Sequence, residues 1–225
     1  MPKPYFRQVP DFEYVDRTPG DKTISNYRNV KNLFRRAKLR EDIFEDLSFF
    51  TKYKIVGNER PDNVAEKFYE DATLDWVILL SNNIINVYTE WPMSENSFYN
   101  FLIDKYGSEE KLNEIHHYES DGVKNTKGVW IAEKDLTVPE NYSVTYLDPS
   151  PTVGLTTASG FTEAITNYEY ENKIQEEKRD IYVLKPEFLN IVFNDLEEIM
   201  EYKKGSTQYV SETVKKGEKI RLYSD

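Results

Sequence analysis

The chain has 225 residues, 40 acidic against 29 basic, a formal net charge of −11 and no cysteine. The missing cysteine excludes disulfide stapling, thiolate catalysis and cysteine-ligated metal sites, and the negative balance opposes duplex nucleic acid, whose binding rests on cations at phosphates. No apolar run approaches the ~18 residues of a membrane span, and the opening MPKPYFRQVPDFEY lacks the apolar stretch of a signal peptide, so a soluble protein made in a cytoplasm is expected. Seventeen Tyr, twelve Phe and three Trp accompany this polar average. Aromatics give large contact area at low entropy cost, which suits surface committed to protein partners.

Residues 1–24 hold several prolines and a Thr-Pro-Gly-Asp turn at 18–21, and read as an extended arm. From Ser25, the spacing of Val30, Leu33, Phe34 and Ala37 predicts a helix. The same region carries five basic residues in KNLFRRAKLR (31–40). They form either a solvated face balanced by Glu41, Asp42, Glu45 and Asp46 or a patch for an acidic protein partner. Tyr27, Phe34, Arg35 and Arg36 are the candidate partner contacts there, with Trp91 further on.

The stretch from Tyr53 to Pro92 is the most structured in pattern. Tyr53 and Ile55 read as a short strand before a turn at Gly57. Pro61 suits the first helical position, where a missing N–H costs nothing, and Val64, Ala65, Phe68 and Tyr69 share one helical face. Thr73 can cap a second helix with Asp75 in its first turn. Trp76, Leu79 and Leu80 make its buried face, and Asn82-Asn83 ends it, because Asn tolerates the left-handed conformation.

A third helix is predicted from Ser94 to Gly107 and a short fourth from Ser108 through Ile115. Residues 123–147 alternate as β-structure, 148–160 read as a mobile or extended connection, and 164–177 are polar and ambiguous. Ile181–Leu184 is a strand. Pro186 opens a helix over 187–204, and 212–224 read as a turn on Gly217 followed by Ile220 and Leu222 in alternation.

No catalytic motif stands out. His116 and His117 are the only histidines, and adjacent residues point apart on helix or strand, so a shared metal is not expected. Glu90 beside Trp91 is the most suggestive carboxylate, yet a structural role for Trp91 is the plainer reading. With nine glycines there is no P-loop, no GxGxxG and no GxSxG. No enzyme, no cofactor and no metal is expected, and no small-molecule ligand.

The order strand, helix, helix over YKIVGNERPDNVAEKFYEDATLDWVILLSNNI resembles a LysM module, the unit that holds cell-wall glycans. Its sugar groove would lie at Gly57–Pro61 and Asn82–Ile85. The usual Gly-Asp-Thr turn is replaced here by Gly-Asn-Glu-Arg-Pro, which speaks against sugar. That segment together with FRQVPDFEY…NVKNLFRRAKL and TNYEYENKIQEEKRDIYVLKP (166–186) resembles the baseplate wedge protein 53 family of T4-like contractile-tailed phages. The resemblance implies a non-catalytic virion subunit of the tail baseplate, made in the host cytoplasm. Its partners would be other wedge proteins, hub-proximal proteins and neighbouring wedges. A LysM-type protein binding peptidoglycan or chitin oligosaccharides is the alternative.

The expected fold is α+β: an arm and helix over 1–50, a LysM-like core over 51–89, and an inserted helix/β region over 90–212. The segment after Asn83 lacks a closing strand, whereas VKKGEKIRL (214–222) has the pattern of one. Tyr53–Ile55 is therefore expected to pair antiparallel with Lys219–Leu222, so that 213–223 complete the core. The scaffold would be Tyr53, Ile55, Val64, Ala65, Tyr69, Trp76, Leu80 and Asn83, with Ile220 and Leu222.

Overall fold

The computed structural model describes residues 4–15, 27–149, 154–205 and 208–217. It is an α+β protein in two compact units, one made of Met1–Trp91 with Arg179–Asp225 and the other of Pro92–Lys178. The first unit opens with a helical turn, α1 (Tyr5–Gln8), and a strand, β1 (Asp11–Val15). Strand β2 (Tyr27–Lys31) runs antiparallel to β1, with Lys31 opposite Asp11 and their side chains paired at 2.9 Å. This replaces the helix expected from Ser25. Val30, Leu33 and Phe34 are all exposed, so their helical spacing has no core to face, while the backbone of 27–31 is satisfied by β1.

A turn of helix, α2 (Glu41–Phe44), leads to β3 (Phe50–Lys54). Helix α3 (Pro61–Tyr69) starts at Pro61 as the sequence requires and buries Val64 and Ala65. Helix α4 (Asp75–Ser81) is preceded by a 3-10 turn capped by Asp71, whose carboxylate accepts from Thr73 N and Oγ1, so Asp71 and not Thr73 is the cap. Asn83 has the expected left-handed φ of 53°. A further turn, α5 (Val87–Glu90), ends at Trp91.

The second unit contains α6 (Glu95–Tyr106), capped by Ser94 and stopped at Gly107 with φ 88°, and the short α7 (Glu109–Leu112). The chain is extended already at β4 (Ile115–Ser120) and continues through β5 (Val123–Lys124), β6 (Trp130–Ala132), β7 (Thr137–Val138) and β8 (Ser143–Asp148). Strand β9 (Gly154–Ser159) pairs back on β8, so most of the expected connection is the second arm of a hairpin. Strand β10 (Thr162–Thr166) joins β4, which lies between β10 and β7. Helix α8 (Asn167–Glu177) follows, with Thr166 and Glu169 bonding each other's backbone in a capping box. Its Glu171 is buried and accepts from Lys105 Nζ at 2.5 Å and Tyr106 OH at 2.9 Å.

Back in the first unit, β11 (Asp180–Leu184) pairs antiparallel with β3, placing Ile181 opposite Tyr53 and Leu184 opposite Phe50. Helix α9 (Leu189–Met200) buries Val192, Leu196 and Met200, one per turn. Strands β12 (Tyr209–Ser211) and β13 (Val214–Lys216) complete a four-stranded sheet in the order β12-β13-β1-β2, with β13 parallel to β1. The expected pairing with Lys219–Leu222, and with it Ile220 and Leu222, lies outside the described residues. The strand found beside β3 is β11, and the excursion that separates it from α4 is Pro92–Lys178 and not 90–212. Val214–Lys216, at the start of the expected closing segment, sits instead against Asp11–Glu13.

The core of this unit joins Val64 and Ala65 of α3, Val77 and Ile78 of α4, and Ile181, Val183 and Leu184 of β11 to the α9 stripe. Each such side chain contributes on the order of 1.5–3 kcal/mol by burial. Asn82 then closes the outer edge of β11. Its Nδ2 donates to Tyr182 O and its Oδ1 accepts from Tyr182 N, each at 2.8 Å, while Nδ2 also reaches Ile78 O. In an antiparallel pair alternate residues turn their amide groups outward, and Tyr182 is such a residue, so the side-chain amide acts as a one-residue strand. Asn82→Ala should therefore lower stability by about 1–3 kcal/mol, the cost of leaving both Tyr182 groups unpaired. An unchanged urea midpoint would show that water replaces the amide without loss.

Candidate interaction surface

A concavity of about 670 Å³ in the first unit runs along α4. Its floor is Trp76, Leu79, Leu80 and Ile84, and its walls come from α1 and from Leu33, Arg35 and Arg36. The N-terminal segment is held there by contacts: the Tyr5 ring lies 5.8 Å from that of Trp76, and its hydroxyl accepts from Ala37 N at 3.1 Å. Val9 is buried in the same core. The rim is apolar and open, with Phe6, Leu33 and Ile85 each more than 60% exposed and Phe34, next to Leu33 in the chain, more exposed still. Surfaces of this kind on an otherwise polar chain mark contact sites.

Charge sits at defined places on the rim. Arg35 Nη1 donates to Ile199 O at 2.8 Å and Glu201 O at 3.0 Å and lies over the Tyr202 ring, and Arg36 Nη2 donates to Ile84 O at 3.3 Å. Asp75 stands at the start of α4, where burial raises its carboxyl above the usual value despite a hydrogen bond from Trp76 N.

Of the candidate contacts, Phe34, Arg35 and Arg36 thus lie on or beside one surface. Tyr27 is half-buried under Lys216 Nζ, 4.5 Å from its ring. Trp91 is corrected: it is 5% exposed, its Nε1 donates to Glu59 O at 2.9 Å, and it belongs to the core. Among the scaffold residues Ile55, Val64, Ala65 and Trp76 are buried, Tyr53 and Leu80 pack on the core at its margin, and Tyr69 OH donates to Leu184 O. Phe6, Leu33 and Ile85 carry no contact expectation from the sequence. Ile85 sits in the run INVY after Asn83, where apolar residues with no helical or strand period were the available signal.

The loops where a sugar groove would lie are occupied internally. Glu59 accepts from Tyr53 OH at 2.6 Å and Val56 N at 3.2 Å, with Lys67 Nζ at 3.7 Å. Asn82 is spent on β11, and Arg179 Nη1 donates to Gly57 O. Glu90 accepts from Ile85 N and Asn86 N as a loop cap. In the second unit, His116 is the extra residue of a bulge in β4, which brings its Nδ1 to 2.8 Å from that of His117, nearer than strand alternation implies. His117 Nε2 continues to Glu119 at 3.0 Å. Among the described residues no group of three or more acidic or histidine side chains could hold a metal, and no helix is long and apolar enough to cross a membrane.

A family model described as base plate wedge protein 53 matches residues 9–199. The chain belongs to that family. It is also 26% identical over 184 residues to the baseplate wedge protein gp53 of Enterobacteria phage T4, covering 80% of this chain and 85% of that protein. As a wedge protein 53 family member, the chain carries the match across both of its compact units.

Burial alone raises the Glu59 carboxyl, but the bonds from Tyr53 and Val56 and the nearby Lys67 outweigh it and hold the group below the usual 4.5. A carboxylate whose folded value is depressed adds stability above its unfolded value and loses it as pH falls through the folded one. Unfolding midpoints of the chain should therefore drop as pH is taken below 4.5, and Glu59→Gln should make that drop shallower. Equal slopes for the two chains would remove Glu59 from the acid response.

Proposed function

We propose that this protein is a non-catalytic structural subunit of a contractile-tail baseplate wedge, joined to other wedge and hub-proximal proteins and to neighbouring wedges by apolar and charged contact. It would be made in the host cytoplasm and end in the virion tail. The observation that carries this reading is the family match over residues 9–199, which leaves neither compact unit outside it. The open apolar rim around α4 supports adhesion as the output, since such contacts give affinity when water leaves them. The engagement of Glu59 and Asn82 within the fold gives a sugar no free polar anchors at those two side chains.

Purified tails should contain the chain at a fixed ratio to other baseplate proteins, and quantitative mass spectrometry of baseplates and of their assembly intermediates reads this directly. Absence from particles would overturn the reading. Retention of the purified chain on peptidoglycan sacculi would favour the glycan-binding alternative, and clearing of a cell-wall suspension would favour an enzyme.

A further inference from the structure

The groove along α4 is dipolar. Asp75 is the first residue of the helix, and Ile84, to which Arg36 is bonded, lies just past its last, so the two charges stand at opposite ends of a helix about 10 Å long at 1.5 Å per residue. Arg35 and Arg36 are each fixed by neutral carbonyl acceptors. Among the described residues neither is in an ion pair, although the chain has 40 acidic residues. A guanidinium oriented in this way keeps its full charge and further donors for a carboxylate. Between the charges lie Trp76, Leu79 and Leu80, with Leu33 and Ile85 standing over them at about 70% exposure.

We propose that this groove holds an amphipathic segment of a different baseplate protein, with apolar side chains over Trp76, Leu79 and Leu80 and a carboxylate against Arg35 and Arg36. The proposal rests on the structural role above and adds the surface and the partner's chemistry to it. Helix α4 sets the footprint at about two turns of a docked helix, given a pitch near 5.4 Å. A second copy docked antiparallel would set Asp75 of each copy against Arg36 of the other, but each copy carries a formal net charge of −11, so two copies repel overall and capture of a copy is kept as an outcome of the test. A segment with acidic flanks is matched at the arginine end. The Asp75 end sets the direction, placing the partner's basic or uncharged end there.

The test uses particles assembled with the full-length chain in which Leu33 or Ile85 is replaced by benzoylphenylalanine, with Tyr99 of the other unit as control position. After irradiation, cross-linked peptides are sequenced by mass spectrometry. Both rim positions should capture one segment of one other polypeptide, apolar with Asp or Glu within a turn, and Tyr99 should not capture that segment. Arg36→Glu should lower the Ile85 cross-link roughly tenfold, as reversal of a contact charge does, and Arg36→Lys should keep most of it. Should one substituted chain fail to assemble, the other position reads the same groove. Capture of a second copy, capture of a segment without carboxylates, or no capture in particles that contain the chain would each overturn the proposal and leave the structural role standing. If the unsubstituted chain is itself absent from particles, both fall together.

Discussion

The pairing of Phe50–Lys54 with Asp180–Leu184 is the contact on which the first unit depends. It brings together residues far apart in sequence, and the helices α3 and α4 have no second strand to pack on without it. The physics permits this separation. Each doubling of a closed loop adds only about 0.6 kcal/mol, so replacing a tight connection by the whole Pro92–Lys178 excursion costs on the order of 3 kcal/mol. Burial of Ile181, Val183 and Leu184 at about 1.5–3 kcal/mol each exceeds that. Asn82 then removes the edge that a two-stranded sheet leaves open on β11, so the amide that ends α4 also finishes the sheet.

What was legible in the sequence was punctuation. Pro61, Gly107 and Asn83 act through their own backbone, Ser94 through its hydroxyl on Ser97 N, and Pro186 by opening the 3-10 turn Pro186–Phe188 that leads into α9, and all five mark an element boundary in the structure. What was not legible was partnership. Tyr27–Lys31 became a strand because Asp11–Val15 lies beside it, and Gly154–Ser159 because Ser143–Asp148 does. The same logic governs the closing strand: both Ile181–Leu184 and the C-terminal segment have strand patterns, and pattern alone does not say which one β3 takes. One missed signal was local. Thr166 and Glu169 spell a capping box in TNYE, which was enough to start α8.

The interaction surface divides along similar lines. The sequence expects residues 34 to 36 at a surface because charge and exposure go together on a polar chain, and Phe34 and Arg36 are exposed while Arg35 is half-buried. Trp91 was misplaced because an indole serves a core and an interface equally well, and composition cannot separate them. Its hydrogen bond to Glu59 O ties it to the loop after the first strand of the β3–β11 pair. The same loop holds the Tyr53, Glu59 and Lys67 network, so side chains that a ligand groove would leave free are used here for holding the backbone.

The distance in sequence between Asn82 and Tyr182, 100 residues, also has a meaning in time. A ribosome adds roughly 5–20 residues per second, so α3 and α4 emerge about 5–20 s before the strand they need. Throughout that interval Val64, Val77 and Ile78 have no β11 to cover them. The nascent chain thus carries an apolar face during synthesis that the finished protein covers only once Leu184 has appeared.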